Sequence, residues 1–260
     1  MLRSLWIAKT GMEAQQTKLD AISHNLANTG TNGYKRAGVA FEDLMYQNLR
    51  SAGAASSEQS QLPTGLQVGL GVRTAASTRN FSQGTLQNTG NNLDIAIKGD
   101  GFFQITLPDG STGYTRDGGF QVDAGGQIVT NSGYVLQPGI TVPPSATALT
   151  IAANGTVSAT IAGQTTPQAL GQIQLASFIN PAGLDPRGGN VYGETAASGT
   201  PNAAAPGTGG HGSLLQGFVE GSNVNVVEEL VSMIATQRAY ELNSKAIQTS
   251  DQMLAKLGQL

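Results

Sequence analysis

The side chains here whose type and spacing could do chemistry are five aspartates, Asp94, Asp100, Asp109, Asp117 and Asp123, and two histidines, His24 and His211. Two carboxylates a few ångströms apart can cleave a glycosidic bond, one acting as acid and the other as nucleophile or base. Each of these five stands beside glycine, asparagine or another turn residue, where Asp is expected for turn geometry alone. His24 falls off the apolar lane of a helix and reads as a solvent-facing or interface side chain. His211 lies in a glycine-rich loop with no carboxylate nearby in sequence, and no nucleophile elbow accompanies it. Two histidines without any cysteine give no zinc spacing, and the lack of cysteine excludes disulfides and thiol catalysis. Gly69-Leu70-Gly71 and Gly99-Asp100-Gly101 lack phosphate-loop spacing and a following helix pattern, so they read as strand turns. No calcium loop of EF-hand type is present. No residue is therefore assigned to catalysis, a cofactor or a metal, and the expectation is a chain that is not an enzyme. A net charge of −3 without a Lys/Arg cluster argues against nucleic acid as a partner.

The elements that would position any function carry a clearer signal, at the two ends of the chain. Leu5, Met12, Leu19 and Leu26 form one apolar lane at a seven-residue spacing, with Ile22 on a second, partly polar lane. Val226, Met233, Tyr240, Ile247 and Leu254 form another, beside the mostly polar lane Leu230, Gln237, Ser244, Asp251. Strict heptad spacing suits helices that supercoil against other helices. The spacing predicts a first helix from Leu2 to about Asn28, with Gly30 and Gly33 as left-handed cap positions. It predicts a last helix opening at Asn225 as N-cap, with Glu228 three residues on. Two readings compete with assembly through these ends. The helices could cover one face of the β region, or the first could lie on a membrane surface. Neither a wide stripe nor a basic face supports them.

Between the helices the composition changes. Charged residues are 12% of the chain, about half the usual roughly 25%, and only fourteen fall between Ser51 and Asn225. Turn signals such as Pro108-Asp109-Gly110, Asp123-Ala124-Gly125-Gly126 and Asn154-Gly155 punctuate short apolar runs, as in an antiparallel sandwich or barrel. Ser51–Pro63 and Thr195–Gly212 read as loops, and Val39–Leu49 fits either a short helix or an extended arm. No secretory signal or membrane-length apolar run is found, so the expectation is a chain that is not inserted in a membrane and either stays in the cytoplasm or leaves by another route.

The fold class expected is α+β. Terminal helices at 1–30 and 225–260 pair as a coiled-coil-like domain, 31–70 form a connecting arm, and 71–224 form a mainly antiparallel, all-β central domain.

Asn25-Leu26-Ala27-Asn28-Thr29-Gly30-Thr31-Asn32-Gly33-Tyr34 resembles the Ala-Asn-x-x-Thr-x-Gly-Tyr signature of the bacterial flagellar rod and hook family. Ala27, Asn28, Thr31, Gly33 and Tyr34 carry that match. Val224–Leu230 and Gln237–Glu241 are similar to the family's tail, and Asn92–Phe103 and Tyr114–Gly118 to the central region of its larger members. Total length and the insertion-like stretch Tyr46–Pro63 bring the resemblance nearest to its distal-rod branch, with hook or proximal-rod members as the alternative. The resemblance implies a structural subunit of the basal body, exported unfolded through the flagellar type III apparatus without a cleavable signal. It implies a homo-polymer, a hollow helical shaft that crosses the periplasm and turns inside the P-ring and L-ring bushing. Proximal rod proteins and the hook protein would be its neighbours. No cofactor is implied. A polysaccharide-acting β protein is the rival from another class, and no regular repeat supports it.

Overall fold

The computed structural model describes residues 2–51, 55–57, 60–61, 63–162 and 166–257. Parts of the expected insertion 46–63 therefore lie outside the described residues. The chain divides into two compact units, Met1–Leu26, Ala37–Thr78 and Asn225–Leu260 forming the first, Ala27–Arg36 and Arg79–Val224 the second.

The first unit holds two long helices, α1 (Leu2–Ala27) and α2 (Val226–Leu257). The side-chain oxygen of Asn225 accepts the Val227 N–H at 3.1 Å, which satisfies one of the free donors at the start of α2. Gly30 does not take the left-handed cap conformation expected of it. α1 ends in a turn closed by Asn28 and Thr31, and the left-handed glycine is Gly33, six residues past the helix. Ala37–Asp43 pairs with Val72–Arg79, and Tyr46–Arg50 pairs antiparallel with Leu66–Gly69. The ambiguous stretch Val39–Leu49 is thus extended. Val39 and Phe41 turn to one half-buried face while Ala40 and Glu42 turn outward, the period of two that a strand imposes.

The second unit is antiparallel β structure. Its largest sheet runs in the order Phe120–Val122, Ile128–Thr130, Val135–Leu136, Phe102–Thr106, Thr112–Thr115, Val191–Gly193, Asp185–Gly188. Leu175–Ser177 joins it by pairing with both Phe102–Thr106 and Asn202–Ala204. Ala146–Ile151, Thr156–Ile161 and Gln168–Gln172 make a separate three-stranded sheet. Ile95–Lys98 pairs with Ser213–Gln216, and Leu86–Asn88 with Phe218–Glu220, so the last strands before α2 close on strands from early in the unit.

Alternation in Phe102–Thr106 feeds two cores at once. Phe103 and Ile105 enter an aliphatic cluster with Ile95, Ile97, Ile128 and Leu175. Phe102 turns to the other face and packs edge-on against Phe81 and Phe178, with Tyr192 behind. Each such side chain contributes roughly 1.5–3 kcal/mol when fully buried. Turn glycines allow the sheets to reverse tightly: Gly110, Gly126 and Gly155 lie at φ between +80° and +86°, where side chains with a Cβ are strained.

Candidate assembly surface and the motif loop

α1 and α2 meet antiparallel at Gly11 against Asn243 and at Asn25 against Glu229. A Cβ at Gly11 would lie 3.0 Å from Asn243 Nδ2, and the Asn25 Nδ2 donates to a Glu229 oxygen at 3.5 Å. Gly11 to Asn25 and Asn243 to Glu229 are the same two-heptad step taken in opposite directions. The lane of α2 that turns inward is therefore Glu229, Thr236, Asn243, Ser250, in which Glu229, Thr236 and Ser250 are buried and Asn243 half-buried. It is polar throughout, and a search for apolar periodicity passes over it.

The expected apolar lanes lie elsewhere on the helices. Leu5, Met12, Leu19 and Leu26 are half-buried and Ile22 is buried. Met233, Ile247 and Leu254 are half-buried, whereas Val226, Leu230 and Tyr240 are exposed. Around them Trp6, Val227, Val231, Ile234, Leu242 and Met253 stand open, Leu242 at 69%. Small or polar side chains thus dominate the seam within the subunit, and apart from the buried Ile22 the large apolar ones are half-buried or exposed.

Asn25 is a residue the periodicity could not single out. Its side chain is buried, its Nδ2 donates to the Ala37 carbonyl at 2.8 Å, and its Oδ1 accepts the Ala37 N–H at 2.9 Å. One amide thus engages both backbone groups of Ala37 as a neighbouring strand would, while also reaching α2. Thr10 ties the other end of the arm. It is buried, and its Oγ1 accepts the Val72 N–H at 3.4 Å, close beside Gly71.

In the motif loop Ala27 is exposed, Asn28 and Thr31 are half-buried, and Gly33 and Tyr34 are buried. Thr31 Oγ1 donates to Asn28 Oδ1 at 3.1 Å and the Thr31 N–H to the Asn28 carbonyl at 3.2 Å. Gly33 sits at φ +68°, where an added Cβ would come within 2.6 Å of the Asp117 backbone nitrogen. Its N–H donates to the Glu220 carbonyl at 2.7 Å. The Arg79 guanidinium lies 5.8 Å from the Tyr34 ring centroid, on the scale of a cation–π contact. Only glycine lets the loop lie this close to the Arg116–Asp117 backbone.

Behind the motif, Lys35 and Glu220 are fully buried and Arg116 nearly so. Glu220 accepts from Lys35 Nζ at 2.7 Å, the Gly84 N–H at 2.8 Å and Arg116 Nη1 at 3.2 Å. Burial pulls both cations' pKa values down, and the Glu220 carboxylate opposes that shift. Arg116 also covers the Phe102 ring at 5.3 Å, and its Nε has no hydrogen-bond partner among the described residues.

The candidate chemical residues hold turns and loops. Asp109 accepts from the Ser111 N–H and hydroxyl, Asp117 from the Gly119 N–H, and Asp123 from the N–H groups of Gly125 and Gln127. Asp94 accepts from Thr89 and Asn91, and Asp100 is exposed. Burial raises the Asp117 pKa, with Gly119 opposing and Asp94 adding to the shift. His211 is buried with its ring nitrogens 3.0 and 2.9 Å from the carbonyl oxygens of Thr208 and Asn202, which braces that loop. Among the described residues no cluster of metal-ligating side chains is found, and no helix is long and apolar enough to cross a membrane.

Three family descriptions match successive stretches of the chain: flagella basal body rod protein at residues 5–35, flagellar hook protein FlgE/F/G D1 domain at 96–159, and flagellar basal body rod FlgEFG protein C-terminal at 215–260. The chain is 56% identical to the flagellar basal-body rod protein FlgG of Buchnera aphidicola subsp. Schizaphis graminum, with the whole of both chains covered. It is 42% identical to that of Bacillus subtilis over 99% of this chain and 98% of the relative. Similarity to the flagellar hook protein FlgE of Helicobacter mustelae, 45% identical, covers 53% of this chain and 30% of the hook protein. Identity sustained from α1 through the sheets to α2 settles the kinship: the chain belongs to the FlgG family of flagellar basal-body rod proteins.

Proposed function

We propose that this chain is a non-enzymatic structural subunit of the flagellar distal rod. It self-assembles through its terminal helices into a hollow helical shaft that transmits torque from motor to hook. The observation that carries this reading is the outward placement of large apolar side chains on α1 and α2 around a polar seam. A helix pair that buries small and polar groups internally gains little from its own packing, and most of what it could gain lies in contacts with further copies. A contact that repeats head to tail without closing generates a helical filament.

Leu5, Met12, Leu19 and Leu26 on α1, with Val226, Leu230, Met233, Tyr240, Ile247 and Leu254 on α2 and the exposed Ile234 and Leu242 beside them, are the interface in this reading, while Ile22 is already buried within the subunit. Proximal rod proteins and the hook protein bound the shaft at its two ends, the P-ring and L-ring proteins surround it, and the flagellar type III apparatus delivers it. Tyr46–Pro63 bridges axially adjacent subunits and stiffens the shaft. The exposed apolar residues Met45, Tyr46, Leu49 and Leu66 at the base of that stretch support the assignment.

Sedimentation and electron microscopy of the purified chain across concentration test the assembly. Rods that disappear in Ile234→Glu or Leu242→Glu, with the monomer's melting temperature unchanged, are expected. Undiminished rods from both variants would overturn the reading.

A further inference from the structure

We propose that Glu220 is a folding interlock: the second unit cannot close around Lys35 and Arg116 until the last strand before α2 delivers this carboxylate. Lys35 stands just after the motif loop, Arg116 in the middle of the chain and Glu220 near its end, 185 positions on from Lys35. Both cations are buried, Arg116 weakens the charged form of Lys35, and among the described residues Glu220 is the one carboxylate to which both donate. Asp100 is close enough to be felt by both but is exposed. Arg116 leans on Glu220 all the more because its Nε has no hydrogen-bond partner among the described residues. Without residue 220, two like charges would be sealed into a site walled by Phe102, and a buried charge stripped of its partner is strongly destabilising.

A chain made or delivered N-terminus first reaches residue 220 only after every other strand of the unit has emerged. Lys35 and Arg116 therefore hold the unit open, with the root of α1 unlocked, until the root of α2 arrives. The same carboxylate also accepts the Gly84 N–H, and the Glu220 backbone carbonyl takes the Gly33 N–H, so its arrival closes the motif loop in the same step. This closure belongs to the folding of the single chain, whether or not the polymer forms as proposed.

Hydrogen exchange on the full-length chain, read by mass spectrometry at polymer-free dilution, tests it. Glu220→Gln keeps an oxygen for the Gly84 N–H and removes the charge. Exchange at residues 33–36 and 115–119 should rise by about a hundredfold or more. Adding Lys35→Met and Arg116→Met to that variant removes both cations, and exchange should return to within about threefold of the parent. Should Glu220→Gln unfold altogether, the same triple variant decides, because regained protection supports the charge interlock and continued unfolding overturns it. In pulsed exchange during refolding of the parent, protection at 33–36, 115–119 and 218–221 should appear in one phase. Protection at 33–36 or 115–119 ahead of 218–221 would overturn the proposal, as would a single Glu220→Gln variant as protected as the parent.

Discussion

The two units solve opposite problems with the same chain. Fourteen of the sixteen large apolar side chains left exposed among the described residues belong to the unit of helices and arm, the others being Val122 and Ile179. Among those residues the unit's buried apolar side chains are Ala8, Ala14 and Ile22. The β unit does the reverse, filling its interior with isoleucine, leucine and phenylalanine and stacking a second, aromatic layer behind its sheet. One unit has a core, and the other has the surface of a core. A domain that already buries its apolar groups can fold alone, whereas one that displays them depends on what covers it.

Truncations of similar chemistry should therefore have very different effects in the two places. Phe103→Ala, which empties a fully buried site, should cost about 3–5 kcal/mol of stability in urea or thermal unfolding. A loss below about 1 kcal/mol would mean that the β unit is not the stable half. Gly33→Ala should come next, at roughly 2–4 kcal/mol, since it combines a strained φ with a clash against the Asp117 backbone. Its effect should appear as lost exchange protection at 115–119 as well as in the loop.

Asn25→Ala removes two hydrogen bonds to Ala37 and should weaken the helical unit by about 1–3 kcal/mol. Proteolysis should then accelerate in the arm while the melting of the β unit stays put, and a drop in that melting would blur the division between the units. The half-buried Asp117 tests the β unit through pH. Its folded carboxyl holds a proton to higher pH than the unfolded one, so its contribution to stability is complete below the ordinary carboxylate range. That contribution is lost as pH rises through the raised value. Asp117→Asn should flatten the melting temperature against pH across this window, and an unchanged slope would assign it to other groups. Smallest of all should be Leu242→Ala, within about 0.5 kcal/mol for the dilute chain, even though the same change should weaken polymerisation.

Legibility in the sequence followed the same division. Helix positions showed plainly, since heptads at Leu5 to Leu26 and Val226 to Leu254 leave few other structures, and Asn225 announced its own cap. The antiparallel β region was equally readable from its turn residues. Val39–Leu49 stayed ambiguous because Phe41, Leu44, Met45 and Leu49 suit a helix face and a strand face alike. Pairing with residues 66–79 decides it, and that information is not local. The seam lane Glu229, Thr236, Asn243, Ser250 was invisible to a search for apolar repeats. Gly33 could be recognised as part of a pattern, yet the reason for glycine lies 83 residues away, at the Arg116–Asp117 backbone. Glu220 carried no signal at all, being a lone acid whose partners come from distant strands.

The outward-facing apolar residues of α1 and α2 also give the proposed polymer a temperature dependence. Removing Trp6, Val231, Ile234 and Leu242 from water is driven near 25 °C by the entropy of the solvent, and carries a large negative change in heat capacity. That driving force fades on cooling. A shaft whose subunits are joined chiefly through such side chains loosens toward the cold, while the already folded β units along its length stay intact.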